Sequence, residues 1–130
     1  MTVTGDATDP TAVGAALEGV DAVVHCAALV ATEARRAREI LDTNVRLVEV
    51  VLGGAAERGI STIVYISSVL ALFAPGSPID EHSSLSAVRS PYAQSKAASE
   101  EFIRALGHKG AQICTLYPPA IIGPEDPGLS

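Results

Sequence analysis

Residues 62–66 read Thr-Ile-Val-Tyr-Ile, an apolar and largely β-branched run without polar alternation. Such a run predicts a strand that is covered on both faces, as in a parallel sheet. Outward from this stretch, predicted strands and helices alternate along the chain, a pattern typical of α/β proteins with right-handed crossovers. The predicted strands are 2–4, 21–25, 62–66 and 111–116, and the predicted helices are 10–17, 34–58 and 91–106.

The predicted helices begin and end at recognisable signals. Asp9-Pro10 and Ser90-Pro91 each place a capping side chain before a proline, which is favoured in the first helical turn. Gly59 follows the long helix, where glycine supplies the left-handed backbone that ends helices. No repeat or interior linker interrupts the alternation, so the 130 residues are expected to form one domain.

Composition and charge exclude several classes of function. The net charge of −6 argues against a nucleic-acid or anionic-membrane partner, since both require basic patches. Cys26 and Cys114 lie far apart without zinc-site spacing, so no metal site is predicted. Reduced, buried thiols are favoured over a disulfide between them. No signal peptide and no apolar run long enough to cross a membrane is found, which predicts a cytoplasmic protein.

Ligands of parallel sheets bind beyond the carboxyl ends of the strands. This rule directs attention to residues 25–30, 66–70 and 117–123. Ser67 and Ser68 follow directly on the 62–66 strand, where a hydroxyl can hydrogen-bond a substrate oxygen and stabilise charge on it. An ordinary serine-containing turn at the strand end is equally compatible with the sequence.

The segment YAQSK places Tyr92 and Lys96 four residues apart on a predicted helix, and therefore on one face of it. A free phenol has a pKa of about 10 and is a poor acid or base at neutral pH. A nearby ammonium favours the phenolate and lowers that pKa toward the working range. Alone, the pair is better explained as a surface tyrosine and lysine on an amphipathic helix.

Asn44 falls on the apolar stripe of the long predicted helix, between Leu41 and Val48. A buried amide must find hydrogen-bond partners. It either holds a structural water or a backbone group, or it belongs to a proton path; the pattern is compatible with each.

Five motifs occur in a fixed order: VVHCAAL (23–29), TNVRLVEVV (43–51), IVYISSVLALF (63–73), YAQSK (92–96) and TLYPPAIIGPED (115–126). Together they resemble the extended short-chain dehydrogenase/reductases, also called NAD-dependent epimerase/dehydratases. HCAAL is similar to relatives that include 3β-hydroxysteroid dehydrogenases and dihydroflavonol reductases. The resemblance implies part of a Rossmann-type, doubly wound parallel sheet of strand order 3-2-1-4-5-6, with residues 1–130 supplying the third through sixth strands.

The resemblance also implies site residues and ligands. Tyr92 would be the general acid/base, Lys96 would bind the nicotinamide ribose, Ser68 would be the catalytic serine, and Asn44 would join a proton relay. NAD or NADP would be the cofactor, and the substrate a carbinol or ketone such as a sugar nucleotide or a steroid. The residues implied to contact the cofactor are Asp6 and Ala7, Cys26, Ala27, Ala28 and Leu29, Lys96, and Pro118 and Pro119. Neither His25 nor His82 is expected to act directly.

The sequence departs from the family pattern at two places near the site. Tyr117 stands where the family often has arginine before proline, and Leu72-Phe73 replace a frequent Tyr-Gly, which is expected to alter the substrate pocket. No glycine-rich phosphate-binding turn occurs in the 130 residues, and the family's C-terminal substrate-binding part is not among them.

The absence of that turn predicts little NAD(P) affinity for the chain in isolation. The alternative to a catalytic segment is therefore a truncated, non-catalytic remnant or a partner-binding module of the same fold. A homodimer through the helices at 34–58 and 91–106 is a further implication of the resemblance.

Overall fold

The computed structural model describes residues 2–30, 34–80, 82–121 and 123. The helices are α1 (Pro10–Ala16), α2 (Ala37–Val48), α3 (Gly54–Glu57) and α4 (Pro91–His108), and the strands are β1 (Ala22–His25), β2 (Thr62–Ile66) and β3 (Ile113–Leu116). Short 3-10 helices cover Ala34–Arg36 and Val69–Ala71. Within the described residues, no helix combines the length and apolarity needed to cross a membrane.

The three strands form one parallel sheet in the order β1-β2-β3, which confirms the predicted α/β fold. In register, Val24 lies beside Val64, and Val64 beside Cys114. The predicted strand at residues 2–4 is wrong, because these residues are not part of any strand. A strand needs a neighbour for its backbone hydrogen bonds, and no described strand lies beside this segment.

The two faces of the sheet differ in burial. Val23 and Ile63 lie on the inner face, within the core formed with the helices. On the outer face, Val24 is 63% exposed and Leu116 is 48% exposed. The prediction that 62–66 is covered on both faces is therefore wrong for the described part of the chain, where helices cover one face only.

The same difference corrects the expectation for the cysteines. Both are free, but neither is buried. Cys114 belongs to the uncovered outer face of β3, and Cys26 lies just past the end of β1.

The long helix predicted at 34–58 is helical from Ala34 to Glu57 but not uniform. A π-helical segment, Glu49–Gly53, joins α2 to α3. Such segments occur as single-turn insertions within α-helices, and this one directs Val50 and Leu52 into the core. Gly59 has φ +68°, so it ends the helix in the left-handed region as predicted.

The predicted caps of α1 and α4 are also confirmed. The Asp9 carboxylate accepts a hydrogen bond from Thr11 N at 2.9 Å, and Ser90 Oγ accepts one from Ala93 N at 3.2 Å. Proline occupies the first turn of both helices.

Helices α2 and α4 pack side by side under the inner face of the sheet. The buried face of α4 is unusually polar, because it includes Ser95, Lys96, Ser99 and Glu100. Since α4 begins beside the carboxyl ends of the strands, this packing carries its first two turns to the end of the sheet where ligands bind.

Candidate active site

A cleft of about 720 Å³ lies at the carboxyl ends of the three strands. The segments that follow β1, β2 and β3 all contribute to it, and α4 supplies the remaining wall, so the predicted segments do meet. The lining residues are Cys26, Ala28, Val30, Ile66, Ser67, Ser68, Val69, Leu70, Tyr92, Lys96, Pro118, Pro119, Ala120 and Ile121.

The cleft brings together most of the candidate site residues. Those that line it are Ser68, Tyr92, Lys96, Cys26, Ala28, Pro118 and Pro119. Five others do not line it: Asn44, Ala27, Leu29, Asp6 and Ala7. The Asp6 carboxylate is engaged locally, because it accepts hydrogen bonds from Thr8 N at 2.8 Å and Thr8 Oγ1 at 2.7 Å.

Ser68 sits at the turn between β2 and the 3-10 helix Val69–Ala71. Its Oγ accepts a hydrogen bond from Leu70 N at 3.2 Å, so its own O–H is left to donate into the cleft. The turn is held from both sides, since Ser67 N donates to Leu116 O at 2.8 Å and Val69 N donates to Pro118 O at 3.1 Å. Ser68 is therefore a half-buried donor on a braced backbone.

The Lys96 ammonium is buried in the floor of the cleft, where the residue is only 2% exposed. It donates to Tyr65 Oη at 3.2 Å and to Ile66 O at 3.1 Å. Burial lowers the pKa of Lys96 to about 8. At neutral pH the side chain is therefore mainly charged, but a small further drop in its pKa would let the ammonium lose its proton.

Tyr92 is half-buried one turn before Lys96, whose Nζ lies 5.7 Å from the centroid of the Tyr92 ring. Burial raises the pKa of Tyr92 above its ordinary value. The shift is opposite to the lowering expected from Lys96, because burial of the phenol determines its direction. The phenol keeps its proton at neutral pH.

Asn44 is 3% exposed and connects α2 to the segment after β1 and to α4. Its Oδ1 accepts from Leu29 N at 2.6 Å, and its Nδ2 donates to Leu29 O at 3.0 Å and to Ser95 Oγ at 2.9 Å. Ser95 Oγ in turn donates to Tyr92 O at 2.8 Å. Asn44 thus holds a backbone group and ties the segment after β1 to the start of α4, while its place in a proton relay stays a prediction.

His25 and Tyr65 pack together behind Lys96. Their rings are nearly parallel, with centroids 5.7 Å apart and an angle of 17° between the planes. Burial, reinforced by the charge of Lys96, lowers the pKa of His25 to about 4, so the imidazole is neutral at neutral pH. Burial also raises the pKa of Tyr65. As expected, His25 packs against the site without entering the cleft.

One turn beyond Lys96, the buried carboxylate of Glu100 forms a second charged centre. Its Oε1 accepts from Tyr117 Oη at 2.5 Å and from Arg104 Nε at 3.3 Å, while no described residue hydrogen-bonds Oε2. Burial and the bond to Glu100 raise the pKa of Tyr117 to about 12. Arg104 also donates to Ser83 O at 3.1 Å, so Glu100 links α4 to loops on two sides of the site.

The comparisons with known proteins agree with this architecture. Residues 1–129 match the sequence model of the NAD dependent epimerase/dehydratase family. The chain belongs to this family.

Among curated proteins, the chain is 30% identical over 125 residues to "Sterol demethylase protein B" of Methylococcus capsulatus, covering 94% of this chain and 38% of that protein. A solved dTDP-glucose 4,6-dehydratase, DesIV from Streptomyces venezuelae with NAD bound, is 32% identical with a TM-score of 0.74, over 85% of this chain and 35% of that one. RMD from Pseudomonas aeruginosa, solved with NADPH, is 28% identical with a TM-score of 0.78, over 95% of this chain and 46% of that one. The chain thus spans less than half the length of each.

The substitution of Leu72-Phe73 for the family's frequent Tyr-Gly has a structural counterpart. Both side chains line a separate, mainly apolar groove of about 590 Å³ in the loop between β2 and α4. The other residues that line this groove are Ala74, Pro75, Ser77, Pro78, Ser83, Ser84, Leu85, Ala87 and Val88.

Several residues of the site were not found from the sequence. Three of them lie on the buried face of α4: Ser95, Ser99 and Glu100. The helical spacing that places them on the same face as the apolar Ile103 is the signal that could have identified them. In the sequence, Tyr65 is one position in the apolar run of the 62–66 strand. Its hydroxyl gave no sequence signal, because alternation within a strand indicates a direction and not a hydrogen-bond partner.

Proposed function

We propose that the chain is the catalytic segment of an NAD(P)-dependent oxidoreductase or epimerase/dehydratase that acts on a carbinol or ketone. The observation that carries the proposal is that Ser68, Tyr92 and Lys96 line one cleft at the carboxyl ends of the strands. That is the side of a parallel sheet on which ligands bind. In the family fold, the segment would supply the fourth through sixth strands and the helices between them.

In this proposal, Tyr92 moves the proton of the substrate oxygen. Its phenol is protonated at neutral pH and can donate that proton to a carbonyl oxygen. In the opposite direction the phenolate must form, and the nearby Lys96 ammonium is the cation that stabilises it. The Ser68 O–H donates to the same substrate oxygen and stabilises the charge that develops there.

The cleft fits a nicotinamide cofactor on two counts. Its walls after β1 and β3 carry small or flat side chains, Cys26 and Ala28 on one side and Pro118 and Pro119 on the other. Lys96 uses two of its three N–H donors on described protein atoms, so one is left for a ribose hydroxyl. A nicotinamide bound there would supply hydride transfer to or from the substrate carbon. Structural neighbours solved with NAD or with NADPH support this choice of cofactor.

For the substrate, we propose a sugar nucleotide or a sterol-like carbinol. DesIV is a dTDP-glucose dehydratase, and the curated relative carries a sterol demethylase name. A sugar nucleotide is charged and a sterol is not, so one cleft is expected to accept only one of the two classes. Turnover would be measured with dTDP-glucose, UDP-glucose and a 3β-hydroxysterol, each with NAD and with NADP.

The test of the proposed function is Tyr92→Phe in a polypeptide that joins this segment to a glycine-rich turn. Removing the acid/base should lower kcat by roughly 10²–10⁴-fold and leave the Kd for NAD within a few-fold. Tyr117→Phe is the matched control, because it also removes one phenol hydroxyl but does not line the cleft. Turnover by Tyr92→Phe within tenfold of the parent would reject the assigned role.

A further inference from the structure

Tyr65 stands out because its hydroxyl is not required for packing. The residue is 1% exposed in the core of the inner sheet face, and a phenylalanine would fill the same space. Its Oη nevertheless accepts a hydrogen bond from Lys96 Nζ at 3.2 Å, and the ammonium lies 4.9 Å from the Tyr65 ring centroid. A buried hydroxyl that meets a buried cation indicates a specific role.

We propose that Tyr65 is a positioning residue that, with the Ile66 carbonyl, holds the Lys96 ammonium in the floor of the cleft and leaves its third N–H for the ligand. This inference rests on the proposed function, in which Lys96 binds the cofactor and stabilises the Tyr92 phenolate.

The number of donors supports this assignment. An ammonium carries three N–H groups. Tyr65 and Ile66 accept two of them from the same strand end, at 3.2 Å and 3.1 Å. These two bonds fix where the Lys96 side chain ends, and the cleft is the remaining direction for the third N–H.

The lowered pKa of Lys96 also supports a role for the Tyr65 hydroxyl. Burial already lowers the pKa of Lys96 to about 8, so little further loss of stabilisation is needed to discharge it near neutral pH. Removing the Tyr65 hydroxyl takes away one of two acceptors for the charged form. The ammonium of a Tyr65→Phe variant should therefore lose its proton at a lower pH.

The Ser99 and Ser67 hydroxyls also contact the Tyr65 phenol, whereas the acceptors from Lys96 are Tyr65 and Ile66. His25 stacks on the Tyr65 ring and is neutral, and its Nε2 has no partner among the described residues. The other titratable groups around this centre are Cys26 past the end of β1, Tyr92 and Glu100 on α4, and Tyr117 after β3, which hydrogen-bonds Glu100.

The chain offers a direct measurement, because it contains only two lysines, Lys96 and Lys109. With isotope-labelled lysine, NMR follows the Cε and Nζ shifts of both through a pH titration, and Lys109 at the exposed end of α4 serves as an internal reference. In Tyr65→Phe, the midpoint of Lys96 should fall by about one pH unit or more, while that of Lys109 stays unchanged.

Tyr117→Phe is the matched control for this titration, since it removes a half-buried phenol hydroxyl that contacts Glu100 and not Lys96. Its Lys96 midpoint should equal that of the wild type. An unchanged Lys96 midpoint in a folded Tyr65→Phe chain would overturn the proposal. If that variant does not fold, nuclear Overhauser contacts between the Lys96 ε-protons and the Tyr65 ring in the wild type decide instead, and their absence overturns it.

These outcomes are separate from those for the proposed function. If Tyr65→Phe lowers the Lys96 midpoint but turnover survives Tyr92→Phe, the proposed function is rejected and the role of Tyr65 in positioning Lys96 stands. Loss of turnover in Tyr92→Phe with an uncoupled pair does the reverse.

Discussion

Two buried charges of opposite sign lie one turn apart on α4, and each meets a tyrosine. Lys96 donates to the Tyr65 hydroxyl at 3.2 Å, whereas Glu100 accepts from the Tyr117 hydroxyl at 2.5 Å. The same phenol group is thus an acceptor in one pair and a donor in the other. The chemistry of the helix residue decides which.

The two pairs also differ in what they face. Lys96 lines the cleft and has a donor left over, but Glu100 and Tyr117 do not line it. Tyr117 directly precedes the prolines of the cleft wall. Arg104, which hydrogen-bonds Glu100, also donates to Ser83 O in the loop before α4. The comparison suggests that the Lys96 pair serves the ligand and the Glu100 pair serves the scaffold.

The sharpest way to break this division is to compare Lys96→Met with Glu100→Gln in a catalytically complete polypeptide. Lys96→Met should lower kcat/KM by roughly 10²–10⁴-fold, because it removes the cation beside Tyr92. Glu100→Gln retains an acceptor for Tyr117 and should stay within about tenfold of the parent. Equal losses in the two variants would show that both charges act in turnover.

A second experiment tests the surroundings of Lys96 through the pKa of His25, which burial and the charge of Lys96 both lower. In the unfolded chain this imidazole binds a proton below its ordinary pKa of 6.5, but in the folded protein it does so only below about 4. Protons therefore favour unfolding, and stability should fall by up to roughly 3 kcal/mol as the pH drops through this window.

His25→Phe keeps a ring against Tyr65 and should lose that part of the acid dependence. The measurement is the free energy of unfolding in urea at about pH 7 and about pH 4.5. His108→Gln, at the exposed end of α4, is the control that should retain the dependence. The same acid sensitivity in His25→Phe and the wild type would exclude a neutral, buried His25.

The smallest expected effect compares the two phenols themselves. Tyr117→Phe should lower the free energy of unfolding by about 2 kcal/mol, because it removes a short bond to a buried carboxylate. Tyr65→Phe removes a longer bond and should cost about 1 kcal/mol. Denaturation midpoints of the two variants at neutral pH test the ranking, and a larger cost for Tyr65→Phe would reverse it.

The fold could be predicted well where local signals are strong. Strand 62–66 was predicted to the residue, and the caps at Asp9 and Ser90 were located because side-chain capping is a local interaction. The predictions failed where neighbours decide. Residues 2–4 have strand-like composition but no adjacent described strand, and the outer face of β2 is apolar but incompletely covered.

The candidate site divides in the same way. The cleft and its Ser68, Tyr92 and Lys96 lining follow from motifs at strand ends, whereas the assigned roles stay predictions. The predicted direction of the Tyr92 pKa shift was wrong, because spacing on a helix gives proximity to Lys96 but not the burial of the phenol, which raises its pKa. Asn44 was placed on a buried face correctly, and its partners Leu29 and Ser95 required coordinates.

By itself, the sequence determined the alternation of helices and strands, the caps and the strand-end motifs, since each depends on residues within a few positions of one another. Only the tertiary structure decided that Lys96 meets Tyr65, that Glu100 meets Tyr117, and which sheet face is covered. Those contacts join residues 31 and 17 positions apart and are selected by packing between elements. Hydrogen-bond partners and burial of this kind are properties of the assembled fold, and no local pattern encodes them.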